Sequence, residues 1–272
     1  MRTFDSLTRE ELAAAAPVST VVLPLGSTEQ HGPHLPVRTD AAIVSALARD
    51  AVVAAAEQVP VLLAPTLPIG CAHHHLPFGG TLSLRSSTYI ELICDVVTGL
   101  DRQGFCGVVL LNGHGGNDAP LRVAVDRLVN EQHIGAHVAA ASYWDVAADA
   151  VAGSGFAAGL TPGHAGHFET SVMLAVDPLL VQLDQRPRDP AERTALGRPD
   201  LDGAKIGRPG RWEDSDGRTD DASLASPELG ARLLEQMTAA VADFLVRFHR
   251  SISSRGVASS SGRAFVEQGA EG

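Results

Sequence analysis

The stretch Val21-Val-Leu-Pro-Leu25-Gly26-Ser-Thr-Glu29-Gln-His31-Gly-Pro-His34 decides how this chain is read. Its first five residues are apolar with no polar alternate, the pattern of a strand buried on both faces of a parallel sheet. Glycine then breaks the run, and carboxylate and imidazole side chains follow at once. The same order recurs at residues 108–117, where Val-Val-Leu-Leu leads into Asn112-Gly-His114-Gly-Gly-Asn117. Residues 61–64 and 136–141 read as two further short strands.

Helical spacing fills the intervals. Residues 41–57 are alanine-rich with Ile43, Ala46 and Leu47 on one face, and Thr39 or Asp40 is placed to cap them. Residues 89–102 align Ile90, Ile93, Val97 and Leu100, with Ser86 or Ser87 as the cap. Residues 119–132 turn Leu121, Val125, Leu128 and Val129 inward, and residues 168–176 form a short helix. Strand and helix alternate, so the expected fold is a three-layer α/β/α domain with a mostly parallel central sheet. A single domain is expected over residues 1–250. Within it, residues 184–222 are rich in Pro, Gly, Arg and Asp and read as a long loop or flap. Residues 229–248 read as a C-terminal helix, and residues 251–272 as a disordered tail.

Composition removes several kinds of function. Of 272 residues, 32 are Asp or Glu and 21 are Lys or Arg, a net charge of -11. An acidic chain without a basic stripe is a poor binder of phosphate backbones, so no nucleic-acid partner is expected. No apolar run reaches the length of a membrane span. Lys205 is the only lysine and lies between Ala204 and Ile206, which excludes a P-loop and disfavours Schiff-base chemistry. Asp5, Glu10 and Glu11 stand where a secretory signal would be apolar. Cys71, Cys94 and Cys106 form no C-x-x-C pair, so a cytoplasmic chain with reduced thiols is expected. The H-E-x-x-H and G-x-S-x-G motifs are also absent.

The chemistry concentrates where the strands end, which is where sites form in parallel α/β sheets. Glu29, His31, Asp40 and His114 offer two imidazoles and two carboxylates, a set suited to Zn, Mn, Fe or Co. Glu29 and His31 are two apart, so an extended segment points both to one side. A third cluster is Gly163-His164-Ala-Gly166-His167-Phe-Glu169-Thr-Ser171, and a fourth is His73-His-His75 followed by Phe78-Gly-Gly80-Thr81. Each member also has an ordinary reading. Asp40 would be a helix cap, Glu169 a partner of a helix dipole, and His73–His75 a solvated turn. His34, His133, His137 and His249 are assigned ordinary surface or packing roles. The convergence of three segments at one end of the sheet is what favours a metal site.

Leu25-Gly26-Ser-Thr-Glu29-Gln-His31-Gly-Pro-His34-Leu-Pro36 with Thr39-Asp40 resembles the signature of the creatininase family of metal-dependent amidohydrolases. Phe78-Gly-Gly-Thr-Leu-Ser-Leu84, residues 112–117 and Glu169-Thr-Ser171 match the same family in order and spacing, over roughly residues 15–180. The resemblance implies two divalent ions, zinc first, with manganese or iron as alternatives. Glu29, Asp40 and His114 would hold one ion; His31 and Asp40 would hold the other, with Asp40 bridging. The family's namesake enzyme has a glutamate two residues after the His114 position, where this chain has Gly116, and Glu169 is the expected replacement. His164 matches the family's catalytic histidine, and His75 and Trp144 are expected in the substrate pocket.

The mechanism so implied is attack by a metal-activated water on an amide carbonyl, with His164 protonating the leaving nitrogen. The expected substrate is a small cyclic or linear amide. Two other readings stand beside it: a peptidase that trims a small precursor peptide, as a mycofactocin-type family member does, and a noncatalytic metal-binding subunit. A homo-oligomer, hexameric in the namesake enzyme, is also implied by the resemblance.

Overall fold

The computed structural model describes residues 3–154, 156, 160–187, 207 and 209–259, the last six of these by backbone alone. Strands β1 (Thr20–Leu25), β2 (Val61–Leu63), β3 (Gly107–Asn112) and β4 (His137–Ser142) form one parallel sheet in the order β2-β1-β3-β4. The helices are α1 (Arg9–Ala15), α2 (Thr39–Ala55), α3 (Ser86–Arg102), α4 (Asp118–Asp126), α5 (Tyr143–Val146), α6 (Ala148–Gly153), α7 (His167–Val176), α8 (Arg211–Asp214) and α9 (Pro227–Ser259). None of them is long and apolar enough to cross a membrane.

The continuous apolar runs are explained by what covers each face. Alternate residues of β1 and β3 point to opposite sides. Val22, Val109 and Leu111 join α2, α7 and α9 in one core. Val21, Leu23, Leu25, Val108 and Leu110 join α3 and α4 in the other. The three-layer parallel architecture is the one that strand and helix alternation requires. Register then fixes the site: Leu25 lies opposite Asn112, so the two polar loops leave the sheet side by side. Gly26 permits this closely packed exit, because a Cβ there would fall 2.6 Å from the Ala41 Cα of α2.

Several local expectations are corrected. Neither Ser86 nor Ser87 caps α3: the helix already includes both, and its N-cap is Arg85 in an extended conformation, without a side-chain cap. The helix expected over residues 119–132 is α-helical only through Asp126, and continues as a π-helical turn over Arg127–Glu131. Helix α9 passes the point where a tail was expected to begin at residue 251 and runs to Ser259. Its core stripe, Leu229, Leu233, Met237, Val241 and Leu245, is prolonged by the buried Ile252. Gly107 leaves the room that the Ile252 side chain fills against β3. Residues 260–272 lie outside the described residues, as does most of the expected flap; its described end carries α8 and a segment seated on the polar loops.

Candidate metal centre

Three elements deliver four of the ligand candidates. The loop after β1 carries Glu29 and His31, the first turn of α2 carries Asp40, and the loop after β3 carries His114. All four are buried. Asp40 caps nothing: Arg38 is the N-cap of α2, and the Asp40 carboxylate turns into the cluster. The His114 loop is braced by Asn112, whose Oδ1 accepts from the His114 amide at 3.0 Å and whose Nδ2 donates to the His114 carbonyl at 2.9 Å. Glu169 enters from the first turn of α7, where its Oε2 accepts from the Ala165 amide at 2.6 Å.

The distances form an interlocked set. His114 Nδ1 is 3.2 Å from Glu29 Oε1 and 2.9 Å from Asp40 Oδ2. His31 Nε2 is 3.1 Å from Asp40 Oδ1 and 3.6 Å from Glu169 Oε2. Glu29–Asp40–His114 and His31–Asp40–Glu169 are each a triad with ligand atoms within 4.8 Å of one another, and Asp40 belongs to both. A third triad is Glu29–His31–His164.

Ring-nitrogen partners test whether this set fits a metal. His31 Nδ1 lies 3.0 Å from the Glu29 carbonyl oxygen, and His114 Nε2 lies 3.2 Å from the Cys71 carbonyl oxygen. A carbonyl only accepts, so each of these outer nitrogens carries the proton. Each imidazole thus directs its inner nitrogen at the carboxylates, in the orientation of a metal-ligating histidine held by an outer hydrogen bond. Asp40 Oδ2 is buried and, among the described residues, has no hydrogen-bonded partner beyond its ion-pair contact with His114 at 2.9 Å. Three carboxylates in a buried cluster are costly without cations, and divalent ions would offset that cost. The residues fit a pair of ions.

Without ions the imidazoles supply the positive charge. Burial works against protonation of His31, but Asp40 and Glu169 outweigh it and raise its pKa well above the usual value. His114 is raised likewise, by Glu29 and Asp40 against burial. Burial raises Asp40 too, yet His31 and His114 bring it below the ordinary carboxylate range. For Glu169 burial prevails, and its pKa is raised to about 7.

The cluster floors a cavity of about 930 Å³. His75 and Trp144 both line it. His75 is fully buried in the turn over His73–Phe78 and stacks on His164, ring centroids 4.1 Å apart. Trp144 sits in α5 just past the end of β4, edge-on to Tyr143. His164 Nδ1 faces Glu29 Oε1 at 3.5 Å. All eight candidate site residues border or form one site. His34, placed in the ordinary class, is buried and bonded to Thr170 Oγ1 at 2.9 Å.

Two residues of this site were absent from the sequence reading. Trp212, in α8, lines the cavity and meets His75 edge-on at 4.6 Å and His164 at 5.5 Å. The segment after it is latched to the site: the His164 amide donates to Thr219 Oγ1 at 2.6 Å, and the Thr219 amide donates to the His164 carbonyl at 3.1 Å. Gln30, between two ligand candidates, reaches His75, His164 and Gly217 with one amide nitrogen. The one signal for Trp212 was that the chain has only two tryptophans, both of which border this cavity.

Residues 5–245 match the family model Creatininase, described as creatinine amidohydrolase. The chain is 31% identical over 250 residues to the creatinine amidohydrolase of Pseudomonas putida, covering 86% of this chain and 91% of the relative. It is 35% identical over 194 residues to the mycofactocin precursor peptide peptidase of Mycobacterium tuberculosis, covering 67% of each. Among solved structures, a mutant creatininase complexed with creatine superimposes with a TM-score of 0.76 at 27% identity, covering 91% of this chain and 98% of that one. A mutant creatininase of Zn-Zn type and a creatininase described with Mn give TM-scores of 0.75 at 28% identity, each with the same 91% and 98% coverage.

Proposed function

This chain belongs to the creatininase family of hydrolases, and from that premise we propose that it hydrolyses a small cyclic or linear amide at a two-ion centre. One ion would be held by Glu29, Asp40 and His114, the other by His31, Asp40 and Glu169. The observation that carries the reading is the pair of triads sharing Asp40, with the inner nitrogen of both imidazoles aimed at the carboxylates. Zinc is the first choice for both ions and manganese the next, in keeping with the metals named for the related structures.

Glu169 takes the role that a glutamate at position 116 has in the namesake enzyme. A Cβ at Gly116 would overlap the Cys71 carbonyl oxygen, so this backbone leaves no room for that side chain. Bound ions would supply an activated water and polarise the substrate carbonyl. The chain's own residues do the rest. His164 borders the cavity with Nδ1 toward Glu29 and carries a proton to the leaving nitrogen. His75, Trp144 and Trp212 wall the cavity.

Peptide trimming is the second reading. It is supported by the peptidase relative and by a cavity of about 930 Å³, near the upper end of the range for small-ligand pockets. Metal analysis by mass spectrometry, followed by an amide, lactam and short-peptide hydrolysis screen on the same sample, tests both. Two equivalents of metal with turnover of a lactam or simple amide is the expected result. Turnover of peptides alone would select the second reading. Full metal with no turnover of any of them would leave a noncatalytic metal protein.

A further inference from the structure

Gln30 lies between Glu29 and His31 and is itself buried. Its side-chain oxygen accepts from the Gly32 amide at 2.9 Å, and its nitrogen donates to the Gly217 carbonyl at 2.8 Å. These two backbone groups have fixed polarity, so the orientation of the Gln30 amide is fixed. The NH₂ group has one hydrogen left. Its remaining neighbours are His75 Nδ1 at 2.8 Å and His164 Nε2 at 3.2 Å.

His164 decides which of them receives it. His164 Nε2 is 2.8 Å from the Gln30 backbone carbonyl oxygen, which only accepts, so that nitrogen carries a proton and has nothing to accept with. The free hydrogen of Gln30 therefore goes to His75 Nδ1, which must be bare. A neutral His75 then bears its proton on Nε2, which has no hydrogen-bonded partner among the described residues and faces Glu29 Oε1 at 3.6 Å. A neutral His164, protonated on Nε2, has a bare Nδ1, which borders the cavity 3.5 Å from Glu29 Oε1.

We infer that Gln30 is a positioning residue that sets the proton map of the site: its side chain makes His75 a donor toward the Glu29 carboxylate, while its carbonyl leaves His164 with an empty site-facing nitrogen. The catalytic half of this inference rests on the amidohydrolase reading; the proton positions do not. An empty Nδ1 gives the proton transfer an order. Water loses a proton to His164 Nδ1 as its oxygen adds to the carbonyl carbon. The carbon–nitrogen bond then breaks, its electron pair leaves with the nitrogen, and the same proton passes from Nδ1 to that nitrogen. Gly217 supports the arrangement. Its φ is +66°, and a Cβ there would fall 2.6 Å from Gln30 Nε2, so the latch approaches the amide only because the residue is glycine.

The test uses the full chain labelled with ¹⁵N-histidine and its Gln30→Glu variant, which keeps the side-chain shape and removes both donors. Solid-state ¹⁵N spectra of metal-free protein separate bare from protonated ring nitrogens, with His75→Asn and His164→Asn spectra to assign them. In the wild type, His75 is expected bare at Nδ1 and His164 bare at Nδ1. In Gln30→Glu, His75 should switch its proton to Nδ1 while His164, held by the unchanged backbone carbonyl, keeps its own. On zinc-saturated enzyme the variant should lose kcat roughly 10- to 100-fold, with KM and zinc stoichiometry unchanged. If Gln30→Glu does not fold, Gln30→Met decides: His75 should then show both tautomers. A wild-type His75 protonated at Nδ1, or variants that leave the His75 signals unchanged, would overturn the inference. Confirmed proton positions with no amide turned over would instead count against the amidohydrolase reading.

Discussion

At the scale of single residues, the ligand set makes separable predictions. Glu29→Gln and Glu169→Gln remove carboxylates from different triads, so each should lower metal content by about one equivalent per chain by mass spectrometry, and Asp40→Asn should lower it by two. His164→Ala should retain metal and lose roughly 10²- to 10⁴-fold in kcat. His34 yields a pH prediction. Burial, helped by the charge of Arg218, lowers its pKa from 6.5 to about 4, so it stays neutral in the folded chain while the unfolded chain takes up a proton below 6.5. The unfolded state binds more protons in that window, so stability is full above pH 6.5 and is lost as pH falls toward 4, by on the order of 3 kcal/mol. Urea midpoints of chelated protein at pH 7 and pH 5 should register about 2 kcal/mol of it, and His34→Gln should narrow the difference by that share. The ligand candidates were legible in the sequence because charged and imidazole side chains just past an apolar strand have few other reasons to cluster. Gln30 was not, because a neutral amide has no charge to mark it, and its role exists only through partners 45 and more residues away.

At the scale of elements, α7 and α9 cross so closely that Gly230 abuts the backbone of Ser171, and a Cβ there would overlap the Ser171 carbonyl. Gly230→Ala should destabilise by about 2 kcal/mol or more through overpacking, more than the roughly 1 kcal/mol that alanine gains over glycine within a helix. Because α7 carries Glu169, the same change should reduce metal retention, which mass spectrometry reads beside the thermal midpoint. In α8, Trp212→Ala removes one cavity wall without touching a ligand candidate. Loss of an aromatic contact worth about 0.5–1.5 kcal/mol raises KM by roughly 2- to 10-fold at constant metal content. The buried strands were legible element by element, since β1 and β3 are covered on both faces and tolerate no polar alternate. Helix α3 was misread at its start because serine's capping habit is a local preference, and here the preceding extended turn supplies the cap position from Arg85. Helix α9 was cut short because the serines of residues 251–254 look like a tail, whereas Ile252 is held by the core opposite Gly107.

For the whole molecule, the site is part of the folding balance as well as of the chemistry. Its ligand candidates come from the loops after β1 and β3 and from the first turns of α2 and α7, so bound ions would tie both central strands to the helices on one face. Removing metal with a chelator should lower the thermal midpoint by several degrees, since an ion at a hundredfold excess over its dissociation constant contributes about 2.7 kcal/mol. Re-addition of zinc should restore it, and Asp40→Asn should show no response to either treatment. Part of the acid excess of the chain is Glu29, Asp40 and Glu169, buried carboxylates that face the imidazoles of the cluster. The latch over residues 217–219 has a consequence for inheritance. The ligand candidates reside in the first 170 residues, while Trp212 and the latch arrive from a stretch with little periodicity. Among the described residues, that stretch supplies no ligand candidate of its own. Yet it touches Gln30 and His164 directly, so a new wall would arrive already coupled to the reaction. A change of substrate could thereby come from editing one segment, with the ligand candidates left as they are.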